Sequence, residues 1–286
     1  MLNFENQKEI LMIHFIVDST FGIDEEYKKA HNIKVAGLSV MLDGKTYNEN
    51  NIADWQAYYS DLKNSKNFPK TTQPSPQTFV TLIDQILSQD KDAKILLLTI
   101  TQTLSGTYNC AKMVAENYKD IVFAIDTESA TTAALLYLEE LVDAAEKGMQ
   151  LVDLLQLAEA LKNKVSVRFV PATMEYLRKG GRISRLKSML VNVLNIKPIL
   201  LHKKASFTIH KKCLGIKKAL TEMVCELKDK VKKVYIVYVY ESRFLNDTLA
   251  KAKQVFNNIK IKLQSVSPVI GSHIGIGAVG IACLEK

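Results

Sequence analysis

Short apolar runs alternate with helical spacing along the first half of the chain. Continuous apolar runs predict buried strands at residues 13–17, 34–42, 93–100 and 121–126. Apolar residues at intervals of three and four predict helices at residues 53–64, 76–89, 105–118 and 129–147. Strands that alternate with helices of this length favour right-handed βαβ units in a parallel sheet.

The second half has a different pattern. Two apolar runs, 196–201 and 206–210, are separated only by the segment HKKA, and this arrangement predicts a hairpin. Further strands are predicted at residues 166–172, 231–240, 259–267 and 278–285. Helices are predicted at residues 213–230 and 245–256, with a short one ending at Gly180 and Gly181. A hairpin among such elements predicts a mixed sheet.

These patterns predict an α/β protein of two domains. We expect a first domain over residues 12–160, with a mainly parallel sheet flanked by helices, and a second over 161–286, with a mixed sheet and helices. Residues 1–11 precede the first convincing strand, and we interpret them as an N-terminal extension.

Charge divides the chain at the same place. Residues 1–160 hold 13 Lys and Arg against 23 Asp and Glu, a net charge of −10, whereas residues 161–286 hold 25 against 7, a net charge of +18. The second domain is therefore the expected surface for an acidic partner, unless its lysines only form a solvated face. Those lysines are scattered without interleaved aromatic residues, which argues against nucleic acid as the partner.

Membrane, export and metal signals are all missing from the sequence. No apolar stretch is long enough to span a bilayer, and the N-terminus lacks a signal-peptide pattern, so we expect a soluble cytoplasmic protein. The four cysteines have none of the spacings that are typical of zinc sites, and no metal is expected.

Hydroxyl side chains follow three of the predicted parallel strands. Ser19 follows the first strand, Thr101 follows the strand at 93–100, and Thr127 follows the strand at 121–126. Ligands of open α/β sheets bind beyond these carboxyl ends. Asp18 and Asp126 end two of the strands, where an aspartate more often fixes a turn than acts as a base.

Two further segments add hydroxyls near predicted helix starts. Ser105 is expected to cap the helix that it begins, and Gly106 would let an anionic ligand approach the free backbone N–H groups there. The segment KTTQPSP contributes Thr71 and Thr72 before a helix that Ser75 is expected to cap.

The five histidines differ in their predicted surroundings. His14, His202 and His210 fall within strands, which predicts structural roles, and His31 ends a helix. Only His273 falls in a predicted glycine-rich loop, where its ring could face a ligand.

That loop also contains a match to the G-x-G-x-x-G pattern of dinucleotide-binding loops, formed by residues 275–280. Only six residues follow Gly280, which leaves no room for the helix and the acidic residue that such a site requires. We therefore expect the loop to pass close to some other ligand.

Six segments, in order, resemble the DegV family, bacterial proteins that bind long-chain fatty acids. They are IVDST, PKTTQPSP, TQTLSGTYNCA, AIDTESAT, YLRKGGRIS and GSHIGIGAVG, and they span Met12 to about Cys283. The resemblance implies two α/β domains and an apolar tunnel for the acyl chain.

The resemblance also implies which residues hold the fatty acid. Its carboxylate is expected to meet hydroxyl and backbone groups near a histidine, at Thr71, Thr72, Ser105, Gly106 and His273, with Ser19, Thr101 and Thr127 as secondary candidates. The chain departs from the usual family pattern at several positions. Thr72, Thr101, Gln102 and Thr127 stand where the family usually has Ser, and Ile276 where it usually has Pro. Threonine retains the hydroxyl, whereas Gln102 and Ile276 change the shape of the site.

The DegV members best understood are the lipid-binding subunit of a two-part fatty acid kinase. An ATP-using partner phosphorylates the bound acyl group, and the acyl phosphate feeds phospholipid synthesis. The resemblance therefore implies a protein without catalytic residues or a cofactor of its own. Arg178, Arg182 and Arg185 are expected to dock an acidic kinase partner or to contact an anionic membrane surface transiently.

Two other functions stay open. One is a small-molecule hydrolase or transferase that uses Asp18, Ser105 or His273 at the hydroxyl-rich edge of the sheet, and the other is a nucleic-acid binder that uses the basic domain. The sequence favours fatty acid binding, because hydroxyl donors are present while no spacing indicates an activated nucleophile and its base.

Overall fold

The computed structural model describes residues 12–182 and 196–286. The first half has the strands β1 (Ile13–Asp18), β2 (Lys34–Ala36), β3 (Ser39–Leu42), β4 (Lys45–Asn48), β5 (Lys70–Thr72), β6 (Lys94–Thr99) and β7 (Val122–Asp126). Its α-helices are α1 (Glu25–Ala30), α2 (Ile52–Asn64), α3 (Pro76–Gln89), α4 (Thr107–Ala115), α5 (Thr131–Glu146) and α6 (Leu151–Leu161). Of these elements, α6, β4 and β5 have no counterpart among the predicted ones.

A parallel sheet forms the centre of the first half, in the order β2-β1-β6-β7. Apolar side chains alternate in their packing across its two faces. Phe15, Val17 and Leu96 pack on one side and Ile16, Ile95 and Leu97 on the other, so helices cover both faces. The prediction of a parallel sheet flanked by helices is confirmed.

The single strand predicted over residues 34–42 is wrong. The chain leaves the parallel sheet after Ala36 and enters a small antiparallel sheet, in the order β4-β3-β5. At the break, the backbone N–H of Leu38 donates to Ser19 Oγ at 2.9 Å rather than extending the ladder with β1. The apolar run continues through this change of sheet, which is why its pattern predicted one strand.

The second half has the strands β8 (Val165–Val170), β9 (Ile196–Lys203), β10 (Ser206–Leu214), β11 (Val231–Tyr238), β12 (Ile261–Ser265) and β13 (Val279–Glu285). Its helices are α7 (Glu175–Lys179), α8 (Ile216–Cys225), α9 (Leu245–Val255) and α10 (Pro268–Ile274). The strand order is β10-β9-β8-β13-β11-β12, with only β11 and β12 parallel. This confirms the predicted mixed sheet.

The predicted hairpin is also confirmed. Strands β9 and β10 pair antiparallel, and Lys204 and Ala205 form the turn with φ angles of +52° and +53°. The helix predicted from Cys213 starts later, at Ile216, because Cys213 still pairs within β10 and Gly215 precedes the helix.

Helix α10 replaces the glycine-rich loop in which His273 was expected, so that expectation is wrong. Ser267 stands before the helix and Pro268 occupies its first turn, a combination typical of helix starts. The helix ends at Gly275, whose φ of +88° is a conformation that glycine adopts readily, and a Cβ there would overlap the ring of Tyr176. His273 therefore lies in the last turn of a helix.

Helix α10 also connects the two halves. The hydroxyl of Tyr59 donates to the carbonyl oxygens of Val266 and Ser267 at 2.8 and 3.0 Å, and the backbone N–H of Val269 donates to the Glu49 carboxylate at 2.6 Å. One apolar cluster continues from the first half into the second. The three sheets nevertheless divide near residue 160, and the domain boundary there stays a prediction.

Candidate functional site

A cavity of about 200 Å³ lies between the two halves, lined by 23 of the described residues. Thirteen of them are apolar, and these form most of the wall. The first half supplies Leu38, Ile100, Leu104 and Ala130. The second half supplies Val167, Phe169, Leu177, Phe207, Val237, Val266, Val269, Ile270 and Ile274. Such a wall suits an apolar ligand better than a sugar or a nucleotide.

The carboxyl edge of the parallel sheet forms one side of this cavity. Thr20 follows β1, Ile100 follows β6 and Thr131 follows β7, and all three line the space. The position agrees with the rule that ligands of open α/β sheets bind beyond the strand ends. Thr20 and Thr131 were not among the predicted site residues.

The three secondary candidates lie outside this lining. The hydroxyl of Ser19 donates to Glu49 at 2.5 Å, that of Thr127 donates to the carbonyl oxygen of Thr99 at 2.8 Å, and that of Thr101 lies 3.2 Å from Thr103 Oγ1. All three are buried within the protein. They hold the turns after the strands, and sequence position alone did not distinguish them from their neighbours that face the cavity.

The five primary candidates all line the cavity. Thr71 Oγ1 lies 3.2 Å from His273 Nε2, which joins β5 to the end of α10. The hydroxyl of Thr72 is 2.6 Å from Ser39 Oγ, so it is tied to the neighbouring strand. The structure thus brings together residues that are about 200 positions apart in the sequence.

Ser105 and Gly106 form the start of α4. The N-cap is Gly106, without a side-chain cap, so the expectation that Ser105 occupies the cap position is wrong by one residue. Ser105 Oγ lies 2.9 Å from Thr107 Oγ1 and accepts a long hydrogen bond of 3.4 Å from the Thr107 N–H. A Cβ on Gly106 would overlap Gln73 Oε1, so the glycine lets the start of α4 approach the segment after β5.

His273 is neutral at pH 7. Burial, with a further contribution from the positive charge of Arg182, lowers the pKa of His273 to about 4. Its Nε2 faces Thr71, while its buried Nδ1 has no hydrogen-bond partner within residues 12–182 and 196–286. A neutral imidazole in this position can donate one hydrogen bond to a ligand oxygen.

Arg182 lies in the cavity lining, half-buried. Its guanidinium donates to the carbonyl oxygens of Gly180 and Leu104, at 2.7 and 3.4 Å. These two carbonyls hold the charge inward, whereas the sequence placed Arg182 on a docking surface. Arg178 is exposed on α7, and Arg185 lies outside the described residues.

A second histidine in the cavity wall has no counterpart among the predicted site residues. His202 on β9 is 2% exposed, lines the cavity, and has no partner for either ring nitrogen among the described residues. The segment IKPILLHKK predicted a structural role for His202, because a histidine among strand residues is usually structural. Its one sequence signal is the strand period of two, which places it on the same face as the buried Leu200.

The hydrolase alternative receives no support from the arrangement of polar groups. Asp18 is fully buried and accepts hydrogen bonds from the backbone N–H groups of Thr20 and Ile100, at 3.0 and 2.6 Å. Asp126 accepts from the backbone N–H groups of Gln102 and Glu128, at 3.2 and 2.8 Å. Both therefore fix turns, and neither lines the cavity.

Burial raises the pKa of Asp18 to about 6, although its hydrogen bonds oppose the rise. Within the described residues, Ser105 Oγ is hydrogen-bonded only to Thr107. The same part of the chain contains no group of three or more His, Cys, Asp or Glu side chains suited to a metal ion. Its helices are also all too short or too polar to cross a bilayer.

Comparison with known proteins gives consistent results. The model of the DegV family, described as an uncharacterised protein family, matches residues 12–286. A DegV domain-containing protein of Listeria monocytogenes is 27% identical over 275 residues, covering 94% of this chain and 97% of that protein.

Solved structures agree with these sequence matches. A DegV family protein from Thermus thermophilus, described by its fatty acid binding, has a TM-score of 0.83 and 25% identity, with 96% of this chain and 100% of that one covered. DegV of Bacillus subtilis, a fatty acid binding protein, has a TM-score of 0.81 and 23% identity, with 96% of this chain and 100% of that one covered. This match shows similarity of fold.

Proposed function

The chain belongs to the DegV family, and several solved DegV proteins that it resembles bind fatty acids, so we propose that it binds a long-chain fatty acid in the cavity between its two halves. The observation that carries the proposal is the arrangement of the lining. Hydroxyl, imidazole and guanidinium groups are grouped where β5, α4, α7 and α10 meet, while the wall over the second-half sheet is mainly apolar.

Energetics favour this division of the lining. Burial of a chain of about 16 carbons contributes on the order of 10 kcal/mol at roughly 0.8 kcal/mol per methylene, so the apolar wall supplies most of the affinity. A buried carboxylate without partners costs several kcal/mol, and hydrogen-bond donors offset this cost. Neither task requires a nucleophile.

The carboxylate site proposed is a cluster of five primary residues with one addition. Thr71, Thr72, Ser105, Gly106 and His273 are the primary residues, and we call them, together with Arg182, the carboxylate cluster. Arg182 adds the cluster's positive charge, and the same charge helps to keep His273 neutral and able to donate through one nitrogen.

Native mass spectrometry of the protein purified from bacteria tests the binding proposal. The expected spectrum contains a non-covalent adduct with the mass of a C14 to C18 fatty acid, which disappears on delipidation and returns when the acid is added. A protein that stays empty in both conditions and hydrolyses a model ester would instead support the hydrolase alternative.

The protein so loaded would present its acyl group to an ATP-dependent fatty acid kinase subunit in the cytoplasm, as a non-catalytic carrier. The net charge of +18 over residues 161–286 suits an acidic kinase surface, and it also suits transient contact with an anionic membrane during acyl exchange. Arg178 and Arg185 are the proposed docking residues. Arg182 is reassigned to the carboxylate cluster because of its inward hydrogen bonds.

The docking proposal is tested by the double variant Arg178→Glu with Arg185→Glu. Acyl phosphate formation with the ATP-using subunit of a bacterial fatty acid kinase should fall about tenfold, because charge reversal at the rim of an interface mainly slows association. Fatty acid affinity should not change. Lys251→Glu on α9 is the matched charge control, and equal yields from all three proteins would refute the docking site.

A further inference from the structure

His202, like Thr20, Gln73 and Thr131, is a polar residue of the cavity lining outside the carboxylate cluster. It is 2% exposed, and both of its ring nitrogens lack partners among the described residues. Buried polar side chains nearly always have hydrogen-bond partners, so one that lacks them and lines a cavity calls for a partner such as a water or a ligand group. Leucine or phenylalanine would line an acyl tunnel without this penalty.

His202 lies in the apolar wall on β9, outside the residues of the carboxylate cluster. It pairs with Val167 of β8, which also lines the cavity. The ring of Phe207 is 6.4 Å from that of His202, centroid to centroid. The histidine therefore faces the part of the cavity that an acyl chain would occupy.

The chemistry of the ring limits what can satisfy it. Burial lowers the pKa of His202 to about 4, so it is neutral at pH 7, with one N–H donor and one acceptor nitrogen. A hydroxyl group both donates and accepts, which matches either nitrogen of such a ring. An unsubstituted chain offers neither function, and a second carboxylate would need a cation of its own, whereas Arg182 in the lining already belongs to the carboxylate cluster.

From this juxtaposition we infer that the cavity recognises acyl chains with a hydroxyl group in mid-chain, and that His202 is the specificity-determining residue that binds it. The inference rests on the proposed function, since it requires a fatty acid in the cavity with its carboxylate at the cluster. The ligand class inferred in this way is hydroxylated long-chain fatty acids, in addition to unsubstituted ones.

Displacement of a fluorescent fatty acid from the delipidated full chain tests the inference. The competitors are stearic acid and its 3-, 9-, 10- and 12-hydroxy derivatives, and the measured quantity is the ratio of the stearate Kd to each hydroxystearate Kd. For wild type, at least one mid-chain isomer should bind about tenfold more tightly than stearate, the size expected for satisfying a buried polar group.

Three variants separate specificity from general binding. His202→Phe should lose the preference for the hydroxyl and bind stearate at least as well as wild type, while His202→Gln should keep part of the preference because its amide also donates and accepts. Val237→Ala, a matched wall variant, should weaken all ligands by a similar factor and leave the ratio unchanged.

A measurement without mutation guards against variants that do not fold. The ring nitrogen chemical shifts of ¹⁵N-labelled His202 in wild type should move when the preferred hydroxystearate binds and stay nearly constant with stearate. If stearate binds but every hydroxy isomer binds equally or more weakly, with no change in the ratio for His202→Phe, the inference is overturned and fatty acid binding survives. If no fatty acid displaces the probe at all, the proposed function itself fails.

Discussion

Two regions of one cavity each hold a buried neutral histidine, but their surroundings differ. His273 lies in the carboxylate cluster, 3.2 Å from Thr71 Oγ1 and under the positive charge of Arg182. His202 lies in the apolar wall, near Phe207 and without a polar partner among the described residues. The pKa of each histidine is lowered to about 4. Burial alone lowers the pKa of His202, whereas burial and the positive charge of Arg182 together lower that of His273.

The difference shows that an equal shift in pKa does not indicate an equal role. A cluster that combines hydroxyls, imidazole and guanidinium can compensate a full negative charge. An isolated neutral ring can satisfy only a neutral polar group, because a charge beside it would remain desolvated. Variants in each region should therefore respond differently to the charge of the ligand and to its acyl chain.

The largest effect is expected from a charge in the apolar wall. Val237→Asp places a carboxylate beside the acyl chain and should lower fatty acid affinity by 100-fold or more, on the order of several kcal/mol. Val237→Ala should cost only about tenfold, through lost packing. Displacement titrations measure both, with thermal melts to verify folding. Equal affinities for the two folded variants would contradict an apolar role for this wall.

Loss of the cluster hydroxyls is expected to have the next largest effect. Ser105→Ala and Thr71→Val should each weaken palmitate binding by about tenfold, since hydrogen bonds to a charged group contribute about 1.5–3 kcal/mol each. Ser88→Ala is the matched control, because Ser88 is exposed on α3 and outside the cavity. A Ser105→Ala variant with full affinity would remove that residue from the carboxylate site.

The pH dependence of stability isolates His202. Its folded pKa is about 4, below the value of about 6.5 for an unfolded chain, so the unfolded state binds more protons between these limits. The free energy of unfolding should therefore fall with decreasing pH in that range by about 1.4 kcal/mol per pH unit from His202 alone.

In the difference between wild type and His202→Phe, the pH-dependent contributions of the other titrating groups, including His273, Asp18 and Glu49, cancel. Burial raises the pKa values of Asp18 and Glu49 to about 6 and about 7, so their contributions change with pH in the opposite direction. Urea denaturation between pH 7 and 4.5 gives the difference. Parallel stability curves would mean that His202 is solvated or partnered in solution.

The smallest effect is expected at Gly106. A Cβ on Gly106→Ala would overlap Gln73 Oε1, and Gln73 must rotate away from the start of α4. Displacement titrations should show a loss of palmitate affinity of about threefold, because the side chain is flexible and the backbone N–H groups stay in place. The double variant Gly106→Ala with Gln73→Ala should recover the loss, and a defect that persists would place its cause elsewhere.

Regular patterns made much of the fold predictable. The parallel sheet, helix α3 with its Ser75 cap and the hairpin at Lys204 were all indicated by short-range signals, and each is confirmed. The change from one sheet to another after Ala36 was not predictable in this way, because the residues on both sides of that point are equally apolar. Helix α10 was missed because its glycines at 271 and 275 outweighed the Ser-Pro signal at its start.

The candidate site was only partly predictable. Hydroxyls at strand ends indicated the edge of the sheet at which the cavity lies, but which of two neighbouring residues faces the cavity depends on the turn, as Ser19 and Thr20 show. His202 was missed because a residue in a tunnel wall has the same strand pattern as one in the core. The inward position of Arg182 depends on the carbonyls of Leu104 and Gly180, a tertiary contact that no local pattern encodes.

Calorimetric titration of the delipidated protein with palmitic acid and with hexadecanol tests fatty acid binding through the carboxylate cluster, because the two ligands have the same chain and differ in the head group. Palmitate should bind with a submicromolar Kd and hexadecanol at least tenfold more weakly, and Ser105→Ala should reduce this difference in affinity. Absence of palmitate binding, or equal binding of the acid and the alcohol, would contradict binding through this cluster.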